Sequence, residues 1–382
     1  MLKTVLWGSL GLLVYTHAGY PLVLWALARG RSHPPPAHSG TAAGEDASLP
    51  TVPTVSMVVA AHDEEQVIAG KVENALALDY PRERLEVVVA SDGSSDATVE
   101  RARAAGADVV LDLPRGGKIR AQDAAVARSR ADIVAFSDAN AGWAPDALRV
   151  LVAAFTDPRV GYACGQVRFT NEAGSNQEGL YWRYEMIVRE LESRLAGVTG
   201  GNGAIYATRR EAYMVVDPRM GHDLSFPFNM VKGGWRPVYA PCARAQEKMV
   251  PTLEGEFARK RRMMSHMWAI VLRGGMLSPR GYPLLYAFEI ASHRVLRYAS
   301  PFLHAAALVA AAALADRGPA YRAALGGQLA LLAAAALEPA APARPLRVAR
   351  YYVLVTASLA AGLLDWLRTG TPAEWEKAEG TR

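Results

Sequence analysis

The stretch ADIVAFSDAN, residues 131–140, is an apolar run of strand length that ends in a carboxylate, Asp138, and a carboxamide, Asn140. Near-continuous apolar runs are typical of strands that a parallel sheet buries on both faces. The side chains of Asp138 and Asn140 then emerge at the carboxyl end of a strand, where open α/β sheets bind their ligands. The stretch therefore predicts a ligand site at one edge of a sheet.

Three more runs of the same kind precede it, at residues 54–60, 85–90 and 107–113. Stretches of helical character alternate with the four runs: Glu64 to Leu78, Ser95 to Ala105 and Lys118 to Ser129. This alternation indicates βαβ units and a mostly parallel sheet covered by helices on both faces. The predicted fold class of this part of the chain is α/β.

The N-terminal segment from Val5 to Ala28 holds 24 residues without a formal charge. As a helix it is long enough to cross roughly 30 Å of hydrocarbon. The alternative is a cleaved signal peptide, because Lys3 precedes the segment and Ala-Leu-Ala closes it, but the apolar run exceeds the usual 7–15 residues of such peptides. Arg29 and Arg31 follow the segment, which favours a cytoplasmic position for the next domain.

The C-terminal third is basic and then apolar. EFARKRRMMSHMWAIVL, beginning at Glu256, has the composition of a helix on a membrane surface. Glu289, His293 and Arg297 then recur every four residues, which predicts either a second interfacial helix or a surface helix packed on the domain. Three apolar runs follow and predict spans, although the middle one is short: Tyr298 to Ala315, Leu325 to Leu337 and Tyr351 to Leu367.

These patterns divide the chain into an anchor (1–31), a Pro/Ala-rich linker (32–52), a cytosolic α/β domain (53–255), amphipathic helices (256–297), C-terminal spans (298–368) and a tail (369–382). Two cysteines, Cys164 and Cys242, cannot form a disulfide framework, so the domain belongs to a reducing compartment. The net charge of +5 fits basic segments facing anionic lipid better than nucleic acid. We expect a multi-pass protein of the bacterial cytoplasmic membrane.

Acidic residues close the other strands as well. His62, Asp63 and Glu64 follow the first run, and Asp92 ends the second. Such residues can be helix-dipole complements or turn formers. Three acidic strand ends on one sheet edge, however, repel one another unless a cation or hydrogen-bond donors compensate. Mg²⁺ commonly binds carboxylate oxygens together with substrate phosphates, which makes Asp138 and the uncharged Asn140 candidate ligands of a metal that holds a diphosphate.

Four motifs, taken in order, resemble the donor-site motifs of family 2 glycosyltransferases, which are inverting enzymes with a GT-A fold. They are VSMVVAAHDEE, LEVVVASDGSSDAT, GGKIRAQDAAV and FSDAN, and the resemblance extends over residues 54 to about 265. The resemblance implies a nucleotide-diphospho-sugar donor, with a UDP-sugar as the expected donor, and Mg²⁺ or Mn²⁺ as cofactor. The donor-binding residues that it implies are Ala60, Ala61, His62, Glu64, Asp92, Gly117, Lys118 and Asp138, with Asp92 at the uracil base and Asp138 as the first carboxylate of the DxD motif.

The same resemblance places the acceptor further along the chain. GGNGAIYATRREAY corresponds to a segment beside the acceptor, with Gly201, Asn202 and Gly203. GHDLSFP corresponds to the catalytic acidic motif with His222 in place of Glu, and it makes Asp223 the candidate general base. Inversion at an anomeric carbon needs such a carboxylate to take the acceptor proton, whereas an Asp in this setting is otherwise a helix cap.

Arg259 and Arg262 have the spacing of the (Q/R)xxRW motif of processive synthases, but Met263 replaces the Trp. The pair is therefore either an acceptor-side element or a lipid-headgroup contact. The tail WEKAEGTR resembles that of membrane glycosyltransferases.

The leading expectation is a membrane-anchored inverting glycosyltransferase that acts on a lipid-linked or glycan acceptor. The alternatives are a processive polysaccharide synthase and a transporter with a nucleotide-binding domain. The C-terminal runs carry few ionisable residues, which disfavours a transporter. A Rossmann dehydrogenase is disfavoured because no G-x-G-x-x-G follows the first strand.

Overall fold

The computed structural model describes residues 1–30, 52–170, 180–248, 253–341 and 343–371. Residues 32–51 of the predicted linker and the tail motif at 375–382 lie outside the described residues. Among the described residues, eight strands form one sheet: β1 (Val55–Ala61), β2 (Leu85–Asp92), β3 (Val109–Leu113), β4 (Ile133–Asp138), β5 (Gly142–Trp143), β6 (Val160–Thr170), β7 (Tyr206–Arg209) and β8 (Arg236–Lys248).

The sheet has the order β3-β2-β1-β4-β7-β6-β8-β5. Its first half is parallel, as the alternation of strands and helices predicted, and the α/β fold class is confirmed. The whole sheet is mixed. β6 and β8 also pair in parallel, whereas β7 runs antiparallel to both β4 and β6, and β5 antiparallel to β8. β7 is only four residues long, so its sequence gives little sign of its direction.

The helices of the described chain are α1 (Leu2–Val14), α2 (Tyr20–Arg29), α3 (Ile68–Leu76), α4 (Thr98–Ala104), α5 (Lys118–Arg128), α6 (Ala147–Ala153), α7 (Leu180–Leu195), α8 (His222–Lys232), α9 (Leu253–Arg273), α10 (Leu284–Glu289), α11 (Leu296–Leu314), α12 (Pro319–Leu337) and α13 (Arg344–Thr369). Two π-helical turns make longer continuous helices: Tyr15–Gly19 joins α1 to α2, and Ile290–Val295 joins α10 to α11.

The central strands are buried on both faces. Every residue of β1 is buried. Met57 packs in a cluster with Leu148 of α6, whereas Val58 packs in another cluster with Ala125 of α5. Successive side chains of a strand point to opposite faces, so these two clusters are the two layers of core above and below the sheet.

Four helices are long and apolar enough to cross a membrane: Leu2–Arg29, Leu284–Arg317, Pro319–Leu337 and Arg344–Thr369. The segment with Glu289, His293 and Arg297 belongs to the second of these and is continuous with the apolar run after it. Its polar face packs on the domain, because Arg297 pairs with Glu185 of α7. The end of the fourth helix packs on α9 through Arg261 and Asp365.

Candidate active site

The ends of β1, β2 and β4 meet at one sheet edge, as predicted from the acidic residues after each run. In the parallel register Ala60 lies opposite both Ala90 and Asp138, and Ala61 lies opposite Ser91. The backbone of Ala60 and Ala61 therefore lies between the two acidic strand ends. This places the nucleotide-binding candidates of the first strand beside the metal-binding candidates of the fourth.

Asp92 is buried and anchors the glycine loop before α5. Its carboxylate accepts hydrogen bonds from the backbone N–H groups of Gly116 (2.7 Å) and Gly117 (2.9 Å), and the Arg115 guanidinium lies 3.3 Å away. Gly93 has a φ of +63°, and a Cβ there would lie 2.7 Å from the Arg115 nitrogen, so only glycine fits this turn. Asp92 thus holds the loop that delivers Gly117 and Lys118 to the edge.

The His62–Glu65 segment does not begin a helix, although helical character was predicted from Glu64. His62 Nδ1 lies 2.8 Å from the Asp92 carbonyl oxygen, and Glu64 is buried, with its N–H donating to Thr98 Oγ1 (2.7 Å). Asp63 accepts from the Ser95 N–H (2.7 Å) at a φ of +50°. These bonds tie the turn to the start of α4 and the segment before it, and α3 begins only at Ile68.

Asp138 faces Lys118, the first residue of α5, and the two side chains form an ion pair. Each of these side chains is about one-fifth exposed, at 23% for Asp138 and 22% for Lys118, so the pair is open to a ligand. The described residues contain no group of three or more His, Cys, Asp or Glu that could hold a metal ion. Because Mg²⁺ commonly binds one or two carboxylates together with substrate phosphates, the assignment of Asp138 and Asn140 as metal ligands remains a prediction.

Lys71 lies beside the candidate site, and the sequence reasoning missed it. It lies on α3, is buried, and donates a hydrogen bond from Nζ to the Ala141 carbonyl oxygen (2.7 Å), directly after the Asp138–Asn140 turn. Burial lowers the pKa of Lys71 to about 7, against the raising effect of the Asp138 charge. The available signal was a lysine on the apolar face of α3, one position before Val72.

The loop from Thr199 to Gly203 separates the sheet edge from Asp223. A Cβ on Gly203 would lie 3.3 Å from Lys118 Nζ and 3.8 Å from Asp138 Oδ2. Two residues earlier, the Gly201 N–H donates to the Asp223 carbonyl oxygen (2.6 Å). The Asn202 side chain fixes the loop, because it donates to the Gly165 carbonyl and accepts from the Ile205 N–H. The loop thus lies between the Asp138–Lys118 pair and the candidate base.

Asp223 is in the first turn of α8 and lies in an environment suited to a base. Burial raises the pKa of its carboxyl above the usual range, while the charge of Lys118 opposes this rise. His222 is buried, stacks on Phe226 and contacts the Tyr206 hydroxyl at 2.8 Å. Burial and the Lys118 charge lower the pKa of His222 well below its usual value, so this residue is neutral.

Arg259 and Arg262 lie on α9. Arg259 contacts the Met263 sulfur at 3.2 Å, and the Arg262 carbonyl accepts hydrogen bonds from Ser265 and His266. α9 packs on α13, so both arginines lie at the junction of the domain with the apolar helices. Their predicted place beside the acceptor remains a prediction.

Residues 56–215 match the model of a protein family described as glycosyl transferase family 2. The chain is similar in structure to the mannosyltransferase PcManGT from Pyrobaculum calidifontis, solved in complex with GDP-Man and Mn²⁺. The TM-score is 0.69 and the sequence identity 25%, over 96% of this chain and 99% of that one.

Curated relatives match over shorter stretches. An N-acetylglucosaminyltransferase of Rhizobium leguminosarum is 27% identical over 58% of this chain and 57% of its own length. A beta-monoglucosyldiacylglycerol synthase of Synechocystis is 34% identical over 42% of this chain and 35% of its own length. The chain thus spans about half or less of the length of these two relatives.

Proposed function

Because the chain is a family 2 glycosyltransferase, we propose that it transfers a sugar with inversion from a nucleotide sugar, UDP-linked in the first instance, to an acceptor at the membrane surface. The observation that carries the proposal is the Thr199–Gly203 loop. Gly203 at the end of this loop faces Asp138 and Lys118, and Gly201 at its middle binds the Asp223 carbonyl oxygen. A diphosphate leaving group and an acceptor hydroxyl on the two sides of this loop would lie on opposite sides of one anomeric carbon.

The chemistry assigned to each residue follows from its position. Asp223 takes the proton of the acceptor hydroxyl as its oxygen forms a bond to the anomeric carbon. The bond between that carbon and the diphosphate breaks, and the nucleoside diphosphate departs with its electron pair. Lys118 balances negative charge at the Asp138 edge, where charge on the leaving group grows. A divalent cation bound by Asp138 and Asn140 would supply further charge neutralisation of the diphosphate.

The direction of the helices supports three membrane crossings. Tyr20, near the end of the first long helix, donates to Glu192 of the domain, whereas Leu6 at its start packs against Ala310. The helix Leu284–Arg317 therefore leaves the domain antiparallel to the first. α13 returns to it, because Tyr352 contacts His304 at 2.7 Å and Asp365, further along, pairs with Arg261.

α12 lies at the far ends of these crossings. Near its start, Tyr321 packs against Trp7, with ring centroids 6.3 Å apart. Just beyond its end, Glu338 pairs with Arg347 and Arg350 in the first two turns of α13. Both ends of α12 thus lie near the far surface, and the proposal is that α12 rests along that surface. The end of α13 would then share the cytoplasmic side with the catalytic domain.

The activity is tested with the full-length chain in nanodiscs. UDP-linked and GDP-linked sugars are mixed in turn with Mn²⁺ or Mg²⁺ and lipid-linked or glycan acceptors, and nucleoside diphosphate release and product length are measured. Transfer by the wild type but not by Asp223→Asn is expected. Absence of transfer with every donor and acceptor would contradict the proposal, and long polymeric products would indicate a processive synthase.

The topology is tested separately with single-cysteine reporters in sealed vesicles. Gly370→Cys reports the end of α13, and Arg159→Cys reports an exposed position of the catalytic domain. We expect a membrane-impermeant maleimide to label both from the same side. Labelling from opposite sides would show that α12 crosses the membrane.

A further inference from the structure

An arginine of a membrane helix reaches the loop that holds the candidate base. Arg294 lies in the π-helical turn Ile290–Val295 of the helix Leu284–Arg317, at the end next to the catalytic domain. Its Nε donates to Thr199 Oγ1 at 2.9 Å. A Cβ on Gly200 would overlap Arg294 Nη2 and lie 2.8 Å from Cζ. The guanidinium therefore packs directly on the backbone of the loop, and Gly200 makes this close approach possible.

The terminal nitrogens of Arg294 have donor capacity to spare. Within the described residues, Arg294 forms no ion pair, and its one hydrogen bond is that to Thr199. The neighbouring Arg297, by contrast, is paired with Glu185. The buried carboxylate of Glu192 is already engaged by the Tyr20 hydroxyl (2.7 Å) and His293 Nδ1 (2.7 Å), among other donors. A half-buried guanidinium in this position is a ready partner for an anion.

The anion would lie next to the reacting hydroxyl. Gly200, against which the guanidinium packs, precedes Gly201, whose N–H binds the Asp223 carbonyl. The charge of Arg294 also lowers the pKa of the Asp223 carboxyl, after the larger effects of burial, Lys118, a backbone hydrogen bond and Asp138. The two groups thus flank one short segment of the loop, while the donor diphosphate site lies at the other end, near Gly203.

We propose that Arg294 binds a phosphate oxygen of the acceptor, so that the acceptor is an amphiphile with a phosphate or diphosphate close to its nucleophilic hydroxyl. This inference rests on the proposed glycosyltransferase function. Guanidinium groups bind phosphate oxygens through two parallel N–H bonds, and a base at Asp223 suits a nucleophile that loses a proton, as a hydroxyl does. A sugar linked through phosphate to a lipid chain combines these features at the membrane surface.

The test uses matched acceptors: glucose, N-acetylglucosamine or mannose on farnesyl diphosphate, and the same sugars on farnesol without phosphate. The wild type should prefer the phosphorylated member of a pair. Arg294→Gln should lower kcat/KM for that member about 10–100-fold more than for the phosphate-free member, the range for a lost charge-assisted hydrogen bond. Arg294→Lys should retain part of the preference. Arg280→Gln, at an exposed arginine before the same helix, should retain all of it.

Folding of each variant is checked by UDP affinity. Gly200→Ala is a second way to disturb the proposed phosphate contact, because its Cβ displaces the guanidinium without removing it. Equal use of both acceptors by wild type and Arg294→Gln would overturn the inference and leave the glycosyltransferase function standing. Lack of transfer to every acceptor would overturn both. Bulk lipid is the other source of phosphate. If Arg294→Gln loses only stimulation by added phosphatidylglycerol, Arg294 binds headgroups and the acceptor assignment is wrong.

Discussion

Substitution of Gly201 by Ala tests whether the loop sets the position of the base. A Cβ on Gly201 would overlap the hydroxyl oxygen of Tyr162, and it would lie 2.9 Å from the ring carbon Cζ. Tyr162 is fully buried and has no room to swing away. Non-bonded atoms are comfortable at roughly 3.5 Å or more, so the loop must move on the order of 1 Å. Since Gly201 holds Asp223 by a backbone hydrogen bond, the base moves with it.

Misplacement of a catalytic group by about 1 Å can cost about 10²-fold in rate. We therefore expect Gly201→Ala to lower kcat by about that factor and to leave donor affinity within twofold, because Asp92 and its glycine loop are untouched. The assay is steady-state UDP release with varied acceptor, together with UDP binding by calorimetry. Gly70→Ala is the matched control, because a Cβ there meets nothing within 4 Å.

A double variant makes the reasoning refutable. Tyr162→Phe removes the overlapping oxygen, and the nearest atom to the new Cβ is then the ring carbon at 2.9 Å. The required shift becomes smaller, so Tyr162→Phe with Gly201→Ala should recover at least tenfold of the lost rate. The non-additivity measures the coupling between the two positions. A Gly201→Ala enzyme with kcat within threefold of wild type, or a double variant no better than the single one, would show that the loop does not position the base.

Asp223→Asn should abolish transfer, by about 10²–10⁴-fold, while UDP affinity is retained; transfer within threefold of wild type would exclude Asp223 as the base. Because burial raises the pKa of Asp223, the ionised carboxylate is unfavourable in the folded state, so Asp223→Asn should also raise the melting temperature at pH 7, with the gain shrinking towards pH 4. Lys118→Met should move the acid limb of the pH–rate profile upwards, because the Lys118 charge lowers that pKa; an unmoved limb would assign it to another group. Asp138→Ala should weaken UDP binding in Mn²⁺ but not in EDTA, whereas Asn140→Asp should tighten the metal; equal EDTA sensitivity of wild type and Asp138→Ala would place the metal elsewhere.

The sheet edge was predictable because its signals are local. Apolar runs ending in Asp92 and Asp138 indicate strands by their length and composition, and parallel pairing brings their ends together. The beginning of α3 was not predictable in the same way. Helical character extends back to Glu64, but side chains from the next strand end, Ser94, Asp96 and Thr98, accept the backbone N–H groups of residues 63–65. Hydrogen bonds to residues some 30 positions away replaced the first helical turn.

The polar face of Glu289, His293 and Arg297 shows a limit of prediction from the sequence. Its periodicity correctly indicates one polar stripe on a helix, but a stripe does not reveal what it faces. The structure turns it towards the domain, where His293 Nδ1 lies 2.7 Å from Glu192 Oε1, across 101 positions in the chain. Glu192 accepts in turn from Tyr20 and from Thr199, at the start of the loop that holds the base. The long apolar helices therefore set the position of this loop through buried hydrogen bonds. A catalytic domain separated from them would lose Tyr20, His293 and Arg294 from the surroundings of Thr199 at once.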